Sequence, residues 1–495
     1  MSSKVFLAVD IGASSGRHLA GLFDGKKLEL TEIHRFTNGP VTIAGRMVWD
    51  LPRQWHDIVE GLRHAGAAYG ARVESVGVDT WGVDYALLGR NDELLGNPCC
   101  YRDRRTEGMF ERAFEIVPRR EIFAATGLQF MELNTLYQLL AMRLSDSPLL
   151  GIAEELLMMP DLYHWLLSGE KANERTDVST TQLYDPQTGD WAWDLIDRLE
   201  LPRKLFGKIV DPGTQLGTLL PQLANDSGLT GAKVVLPGTH DTASAVVAVP
   251  AAGEVQEKPD WCYISSGTWS LMGVEVPRPV VTDKCAELNF TNEGGVGGTT
   301  RLLKNIAGLW LVQECKRMFS QQGRDFLWGE LTRKAAEAES LRSIINPDDE
   351  RLIAPASMPE TIAALCRETQ QPVPESDGQF IRCALESLAL KYRQVLGWLE
   401  ELVGGRIETI HIVGGGTQNE LLSQMAADAC NRRVVAGPIE ATALGNVAVQ
   451  AVAAGAIGSI AEARRVIRES FPVREYLPED AAPWDEAYER FLSLS

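Results

Sequence analysis

Residues 4–34 read KVFLAVDIGASSGRHLAGLFDGKKLELTEIH, and this stretch decides the fold class. KVFLAVDI, residues 4–11, is a nearly unbroken apolar run with a carboxylate, Asp10, next to its end, the pattern of a buried strand. A turn of small residues, GASSGR, follows it. A second strand is predicted over 18–23, Asp24-Gly25 marks a hairpin turn, and a third strand runs over 27–34. Three strands joined by two glycine-containing turns predict a meander at the start of a sheet.

Outward from there, strand and helix patterns alternate. Trp55, Ile58, Val59, Leu62 and Ala65 recur at helical spacing within 54–69. Residues 73–78 are strand-like and end in DTWGVDYALL. The opening is echoed at WCYISSGTWSLMGVEV, residues 261–276: a strand, glycine among small hydroxyls, a strand. Residues 378–403 form an amphipathic helix with Ile381, Leu385, Leu388, Tyr392, Val395 and Leu399 on one side. A strand at 410–413 leads into Gly414-Gly415-Gly416, and Thr417 with Glu420 fits a capping box for the next helix. The alternation predicts an α/β protein of two similar domains, 1–247 and 258–495. VPAAGEVQEKPD is read as their connector, with the boundary near 245–258, and the last helix is a candidate to pack back on the first domain.

A chain of 495 residues exceeds what one ordinary core supports. A net charge of −19 argues against nucleic acid and against an anionic membrane surface as partners. No apolar run approaches the ~18 residues needed to span a bilayer, and the N-terminus lacks the pattern of a signal peptide. A cytoplasmic protein is expected, monomeric or weakly homo-oligomeric. The eight cysteines fit free thiols in a reducing compartment, although Cys366 and Cys383, which flank the loop QQPVPESDG, are placed to pair if oxidised.

Several segments suit phosphate chemistry. Asp10 at a strand end, followed by Gly12–Arg17, offers a carboxylate for Mg²⁺ with amides and hydroxyls for phosphate oxygens. Neither a P-loop nor a dinucleotide fingerprint is present at that loop. Gly238-Thr239-His240-Asp241-Thr242 follows a strand and opens a helix. Asp241 there is a plain N-cap or a base taking a proton from a hydroxyl, and His240 a loop histidine or a sugar contact. Ser265-Ser266-Gly267-Thr268 mirrors the first loop, and Gly414–Gly416 let backbone approach a flat ligand closely. In DTWGVD, Trp81 offers an apolar face to a sugar ring and Asp84 an acceptor for hydroxyls, or Trp81 is simply buried.

AVDIGASSGR, DTWGVDYALL, YRDRRT, LPGTHDTASAV, SSGTWSLMG, TNEGG, LLKNIAGLWLVQE and HIVGGGTQN together resemble the FGGY carbohydrate kinases, in order and spacing, from about residue 4 to about residue 475. The resemblance implies two actin-like (ribonuclease H-like) domains with an ATP and sugar cleft between them. It implies Mg²⁺-dependent transfer of the ATP γ-phosphate to the 1-hydroxyl of a ketose, L-rhamnulose. Other ketoses or polyols (L-fuculose, L-xylulose, glycerol) stand as rival acceptors, and an actin-like nucleotide switch as a rival class. On the matching positions it implies that Ala13, Ser14, Ser15, Gly16 and Arg17 contact ATP phosphates. Gly82, His240, Asp241 and Thr242 would contact the sugar, with Asp241 the proton acceptor and Asn305 on the substrate side. Thr268, Gln313 and Gly415 would contact ATP, and Asp10 matches a metal-associated aspartate.

Overall fold

The computed structural model describes residues 3–353 and 355–494. The chain forms two compact units, and each is assembled from separated segments. The first comprises Met1–Gln256, Glu275–Leu302 and Ala441–Phe471; the second comprises Glu257–Val274, Leu303–Glu440 and Pro472–Ser495.

The first unit is built on a six-stranded sheet. Its order is Gln215–Thr218, Lys233–Val235, Val73–Thr80, Lys4–Ile11, Ser15–Phe23, Leu28–Thr37. The meander expected at the start is present: Lys4–Ile11 pairs antiparallel with Ser15–Phe23, which pairs antiparallel with Leu28–Thr37. On its other edge Lys4–Ile11 pairs parallel with Val73–Thr80, which pairs parallel with Lys233–Val235. The apolar run explains the central place of the first strand, since Val5 through Val9 and Ile11 are fully buried. Val5, Leu7, Val9 and Ile11 share one core with Ile58 and Leu62 of the helix Leu51–Tyr69. That helix begins three residues before the expected start, because Asp50 caps it and Pro52 suits its first turn.

A second helix of this unit, Ala441–Ala453, packs on the strands Lys4–Ile11 and Val73–Thr80 and on the short helix Asp241–Val247. A buried polar ladder fixes it there. Ser75 Oγ donates to Gln450 Oε1 at 2.6 Å, and Gln450 Nε2 donates to Asn446 Oδ1 at 2.6 Å and to the Leu7 carbonyl at 3.0 Å. Asn446 Nδ2 donates to the Gly77 carbonyl at 3.1 Å and to Asp79 Oδ2 at 2.5 Å. Apart from Asp79 Oδ1, each buried side-chain polar atom of the ladder has a partner, so the helix has one register on the sheet.

The second unit repeats the plan. Its strands run in the order Thr300–Ala307, Trp269–Val276, Trp261–Ser266, Thr409–Val413, Arg433–Ala436, Arg474–Tyr476. Trp261–Ser266 pairs antiparallel with Trp269–Val276 and parallel with Thr409–Val413, as the first strand of the chain does with its neighbours. The helix Asp377–Val403 starts on a true capping box, Ser376 with Gln379. All six apolar positions expected on its inner side are buried. One expectation is corrected. Thr417 and Glu420 form no capping box; residues 415–418 make a turn of 3₁₀ helix, and Asn419 caps the helix Glu420–Cys430 by accepting from Leu422 N. Thr417 donates instead to the Gly414 carbonyl at 2.7 Å. Cys366 and Cys383 are free thiols, both buried.

The contact between Asp241–Val247 and Ala441–Ala453 depends on Gly445, where an added Cβ would lie 1.7 Å from the Ser244 carbonyl oxygen. Gly445→Ala is therefore expected to lower unfolding free energy by about 2 kcal/mol or more through overpacking. Urea unfolding of the variant checks this, and a loss below about 0.5 kcal/mol would show the helix pair to be looser than described.

Candidate active site

The parallel strands of the first unit end together, and ligands of open α/β sheets bind beyond such ends. Asp10 lies opposite Asp79 in the register, and Ile11 opposite Thr80. Thr80 N donates to the Thr239 carbonyl at 2.9 Å, which draws the segment Gly238–Asp241 alongside. Asp241 is the first residue of its helix, with His240 at the cap position.

The turn after the first strand is tighter than expected. Gly12 N donates to the Ser15 carbonyl at 2.9 Å, and Ser15, Gly16 and Arg17 already belong to the second strand. Only Ser14 of this set is fully exposed; Gly12, Ala13, Ser15 and Arg17 are half-buried. Gly16 is buried, and a Cβ there would lie 2.1 Å from the Phe36 ring. Arg17 pairs with Asp10 at 2.8 Å.

His240 and Asp241 are held from behind. The buried Glu174 accepts from Thr239 N at 3.0 Å, Thr239 Oγ1 at 2.7 Å and Thr176 N at 2.9 Å, and the Thr176 hydroxyl also donates to it. Thr176 Oγ1 in turn accepts from His240 N at 3.2 Å. Burial raises the Glu174 pKa, while these hydrogen bonds pull it down in part. Asp161 and Asp177 nearby are pushed well above the ordinary carboxylate range, first by burial and then by neighbouring acids.

On its other side the His240 ring meets a buried ion pair. Arg301 is fully buried; its Nη2 lies 3.0 Å from Glu293 Oε2 and 3.2 Å from His240 Nδ1, and its Nε donates to the Gly294 carbonyl at 2.9 Å. His240 Nδ1 is 3.3 Å from Glu293 Oε2, and His240 Nε2 is 3.5 Å from Asp241 Oδ1. Burial alone would raise the Glu293 pKa, but the Arg301 charge and the His240 contact outweigh it and keep the carboxyl below its ordinary range. The ring is thus oriented at Nδ1 and presents Nε2 to Asp241. Thr242 Oγ1 donates to Asp241 Oδ1 at 3.1 Å.

Burial sorts the acids of this region. Asp79, Asp84, Asp161, Glu174 and Asp177 are all at most 1% exposed, whereas the Asp241 side chain keeps 33% of its surface. Asp84 does not serve as an acceptor for sugar hydroxyls, which corrects that expectation. Its Oδ2 accepts from Trp49 Nε1 at 2.7 Å, Trp81 Nε1 at 3.0 Å and Tyr101 N at 3.1 Å, and its Oδ1 accepts from Gln138 Nε2 at 3.1 Å. Trp81 is buried against Trp49, ring centroids 4.0 Å apart. Gly82 sits close against Thr180, 2.8 Å from an added Cβ.

For a metal, the described residues contain no group of three or more ligand-type side chains. A protein-built cage is therefore not on offer, but Mg²⁺ keeps most of its water and takes only one or two carboxylates beside phosphate oxygens. Asp10 fits that demand, with Asp79 behind it. The Asp79 pKa is raised well above the ordinary range by burial and next by the Asp10 charge, and its Oδ1 is buried without a hydrogen-bond partner.

The second unit carries four other expected residues, Thr268, Gln313, Gly415 and Asn305. Thr268 Oγ1 donates to Gln313 Oε1 at 3.3 Å, and Trp310 N donates to the Thr268 carbonyl at 3.0 Å. Gly416 lies against Ser266, two residues before Thr268; an added Cβ would be 2.0 Å from Ser266 Oγ. Gly415, next to it, is exposed, and a Cβ there meets nothing within 4 Å. Asn305 is half-buried on the strand Thr300–Ala307.

Glu174, Thr176, Gln138 and Arg301 were invisible to sequence reading. Each is a polar residue in an unremarkable local pattern, and its role comes only from burial beside a distant partner. TNEGG was visible as a motif, but not as the home of the His240 counter-charge.

The sequence models of the FGGY family of carbohydrate kinases match residues 5–248 with the N-terminal domain and 262–454 with the C-terminal domain. A curated rhamnulokinase of Bacteroides thetaiotaomicron is 44% identical over 486 residues, 98% of each chain. One of Oceanobacillus iheyensis is 42% identical, covering 95% of this chain and 97% of the relative. Among solved structures, a ligand-bound xylulose kinase from Lactobacillus acidophilus superposes with a TM-score of 0.82 at 15% identity, over 99% of this chain and 97% of that one. A Plasmodium falciparum glycerol kinase with ADP gives 0.78 at 14% identity, over 99% and 97%. At such low identities the structural likeness shows the two-domain actin-like α/β fold.

Asp84 yields a pH prediction. Burial raises its pKa from 3.8 to about 6, against the opposing pull of Trp49, Gln138 and Trp81. The folded state therefore binds the proton more tightly than the unfolded state. The resulting stabilisation is complete below about pH 4 and is lost as pH rises through about 6, a change on the order of 3 kcal/mol. Asp84→Asn does not titrate there, so the stability of the unaltered protein relative to this variant should fall across that window. Urea melts of both proteins across it measure the difference; a flat difference would contradict the raised pKa.

Proposed function

The chain belongs to the FGGY family of carbohydrate kinases, and we propose that it transfers the γ-phosphate of ATP to the 1-hydroxyl of L-rhamnulose, as a step in L-rhamnose degradation. The observation that carries the reading is Asp241: a carboxylate at the mouth of the strand ends, one-third exposed, among acids that are otherwise sealed. The choice of ketose rests on the curated relatives, named rhamnulokinases at 39–44% identity over nearly the full length.

Asp241 accepts a hydrogen bond from the attacking hydroxyl and takes its proton, while His240, Thr242 and the backbone at Gly82 hold the sugar. Phosphoryl transfer is largely dissociative, so position matters more than basicity. The loop Ala13–Arg17 donates amides and hydroxyls to the phosphate chain, and the Arg17 charge offsets it. Thr268, Gln313 and Gly415 bind the remainder of ATP, with the bare backbone of Gly415 giving close approach. Mg²⁺ held at Asp10 would neutralise phosphate oxygens. No helix among the described residues is long and apolar enough to cross a membrane, and a cytoplasmic location belongs to the same proposal.

The direct test is ADP release with and without acceptor. Turnover should depend on L-rhamnulose and exceed that with L-fuculose, L-xylulose or glycerol; slow ATP hydrolysis with no response to any of them would point to a nucleotide switch. Asp241→Asn should lower kcat by roughly 10²–10⁴, the usual worth of a positioned base, with ATP affinity nearly unchanged. Near-normal turnover would remove Asp241 from the mechanism. At Gly415 an added Cβ meets no atom of the protein within 4 Å, so Gly415→Val should fold and weaken ATP binding selectively; unchanged ATP affinity by calorimetry in a folded variant would remove Gly415 from the nucleotide site.

A further inference from the structure

A cavity of about 490 Å³ lies in the first unit, away from Asp241. Arg46, Arg105 and Arg112 line it, together with Leu87, Met142 and Leu149. No aspartate or glutamate does, in a chain whose net charge is −19. Three cations gathered without an acid in the wall of a small cavity, on an acidic protein, run against the overall charge and call for a local reason.

The arginines are not spent on one another's neighbours. Arg46 shares its charge with Asp103, 3.2 Å away. Arg112 lies 3.7 Å from Glu115, but both are more than half exposed, so the pair is weak. Arg105 donates through Nη2 to Gln138 Oε1, and its Nε is buried without a hydrogen-bond partner. Cys99 on the cavity wall carries no compensating charge, since burial pushes its thiol up to about 11. Asp84 and Asp103 nearby offset part of the Arg105 charge, but its unpartnered Nε and the weakly paired Arg112 keep donors for a ligand, and guanidinium matches carboxylate and phosphate in geometry. The apolar wall suits a short hydrocarbon body, and the volume falls in the ordinary range for small-ligand sites.

We propose that this cavity is a second ligand site, which takes a small organic anion with a phosphate or carboxylate head on a short apolar body. Arg105 and Arg112 hold the head; Leu87, Met142 and Leu149 enclose the body. The site also has a route to the strand-end loop. Gln138 joins Arg105 to Asp84, and Asp84 holds both Trp81 and Trp49. An anion that draws Arg105 toward itself loosens its hold on Gln138 and thereby acts on the segment containing Gly82. Where the proposed function holds, the bound anion changes KM for the ketose and leaves KM for ATP unaltered.

Calorimetry on the full chain saturated with ADP, so that the nucleotide site is blocked, tests the site without reference to activity. The probes are hexyl phosphate, hexanoate and the neutral control 1-hexanol. At least one anion should bind about tenfold or more tightly than hexanol, the worth of one charge-assisted hydrogen-bond set. Arg112→Glu, at an exposed side chain that leaves folding intact, should remove that margin, and Arg105→Gln should reduce it. The stronger of the two anions identifies the head group. If no anion outbinds hexanol by that factor, or if Arg112→Glu keeps the margin, the proposal is overturned.

Discussion

Glu174 is a carboxyl group closed off from water, and the position of the reactive face follows from where its hydrogen bonds go. A buried carboxyl tolerates its surroundings only if its oxygens are satisfied, and here the donors are Thr239 and Thr176, each through amide and hydroxyl. Satisfying Glu174 therefore fixes the backbone just before His240 and Asp241, while Thr80 pins the same segment to the sheet. Thr176 then accepts from His240 N, so one hydroxyl serves both the acid behind and the histidine in front. A helix of only seven residues, Asp241–Val247, gains a defined start that its own length does not supply.

The same low dielectric that makes Glu174 demanding separates the acids into kinds. Asp79 is driven toward its neutral form by burial and by Asp10, and it is tied to the helix Ala441–Ala453 through Asn446. Asp84 is a hub for two indole N–H groups, one backbone amide and Gln138. The Asp241 side chain is one-third exposed and accepts from the Thr242 hydroxyl. Carboxylates that look alike in the sequence thus divide by solvent access: Asp79 and Asp84 are sealed structural members, Asp10 is nearly buried in its pair with Arg17, and Asp241 is the exposed one.

Much of the architecture was legible because it is local. The apolar run at Lys4–Ile11, the Asp24-Gly25 turn and the inner positions of Asp377–Val403 each follow from periodicity and turn chemistry, and each appears where expected. The echo of the opening at residues 261–276 was likewise real: both units place a strand between an antiparallel hairpin partner and a parallel neighbour. Boundaries were less legible, since Asp50 and Asn419 caps overrode the apolar count. Trp81 and Asp84 both suit sugars chemically, and for Trp81 the sequence leaves a sugar face and a buried position equally open. Trp49, more than thirty residues away, claims them both, and no local pattern announces that contact.

The glycines of the signature loops carry the same lesson to a finer scale. Gly16 belongs to a loop read as a phosphate cradle, yet the Phe36 ring alone forbids a side chain there. Gly416 is required by Ser266, and Gly82 by Thr180. For these three, internal packing is reason enough, and their presence in a motif says little about a ligand. Gly415 differs: it is exposed, its backbone needs no left-handed conformation, and nothing in the protein stands within 4 Å of a Cβ placed on it. The chain's own atoms supply no reason for glycine at that position. If bare backbone is required there, the reason lies outside the chain's own atoms, which makes Gly415, rather than the more crowded glycines around it, the residue of the loop to test.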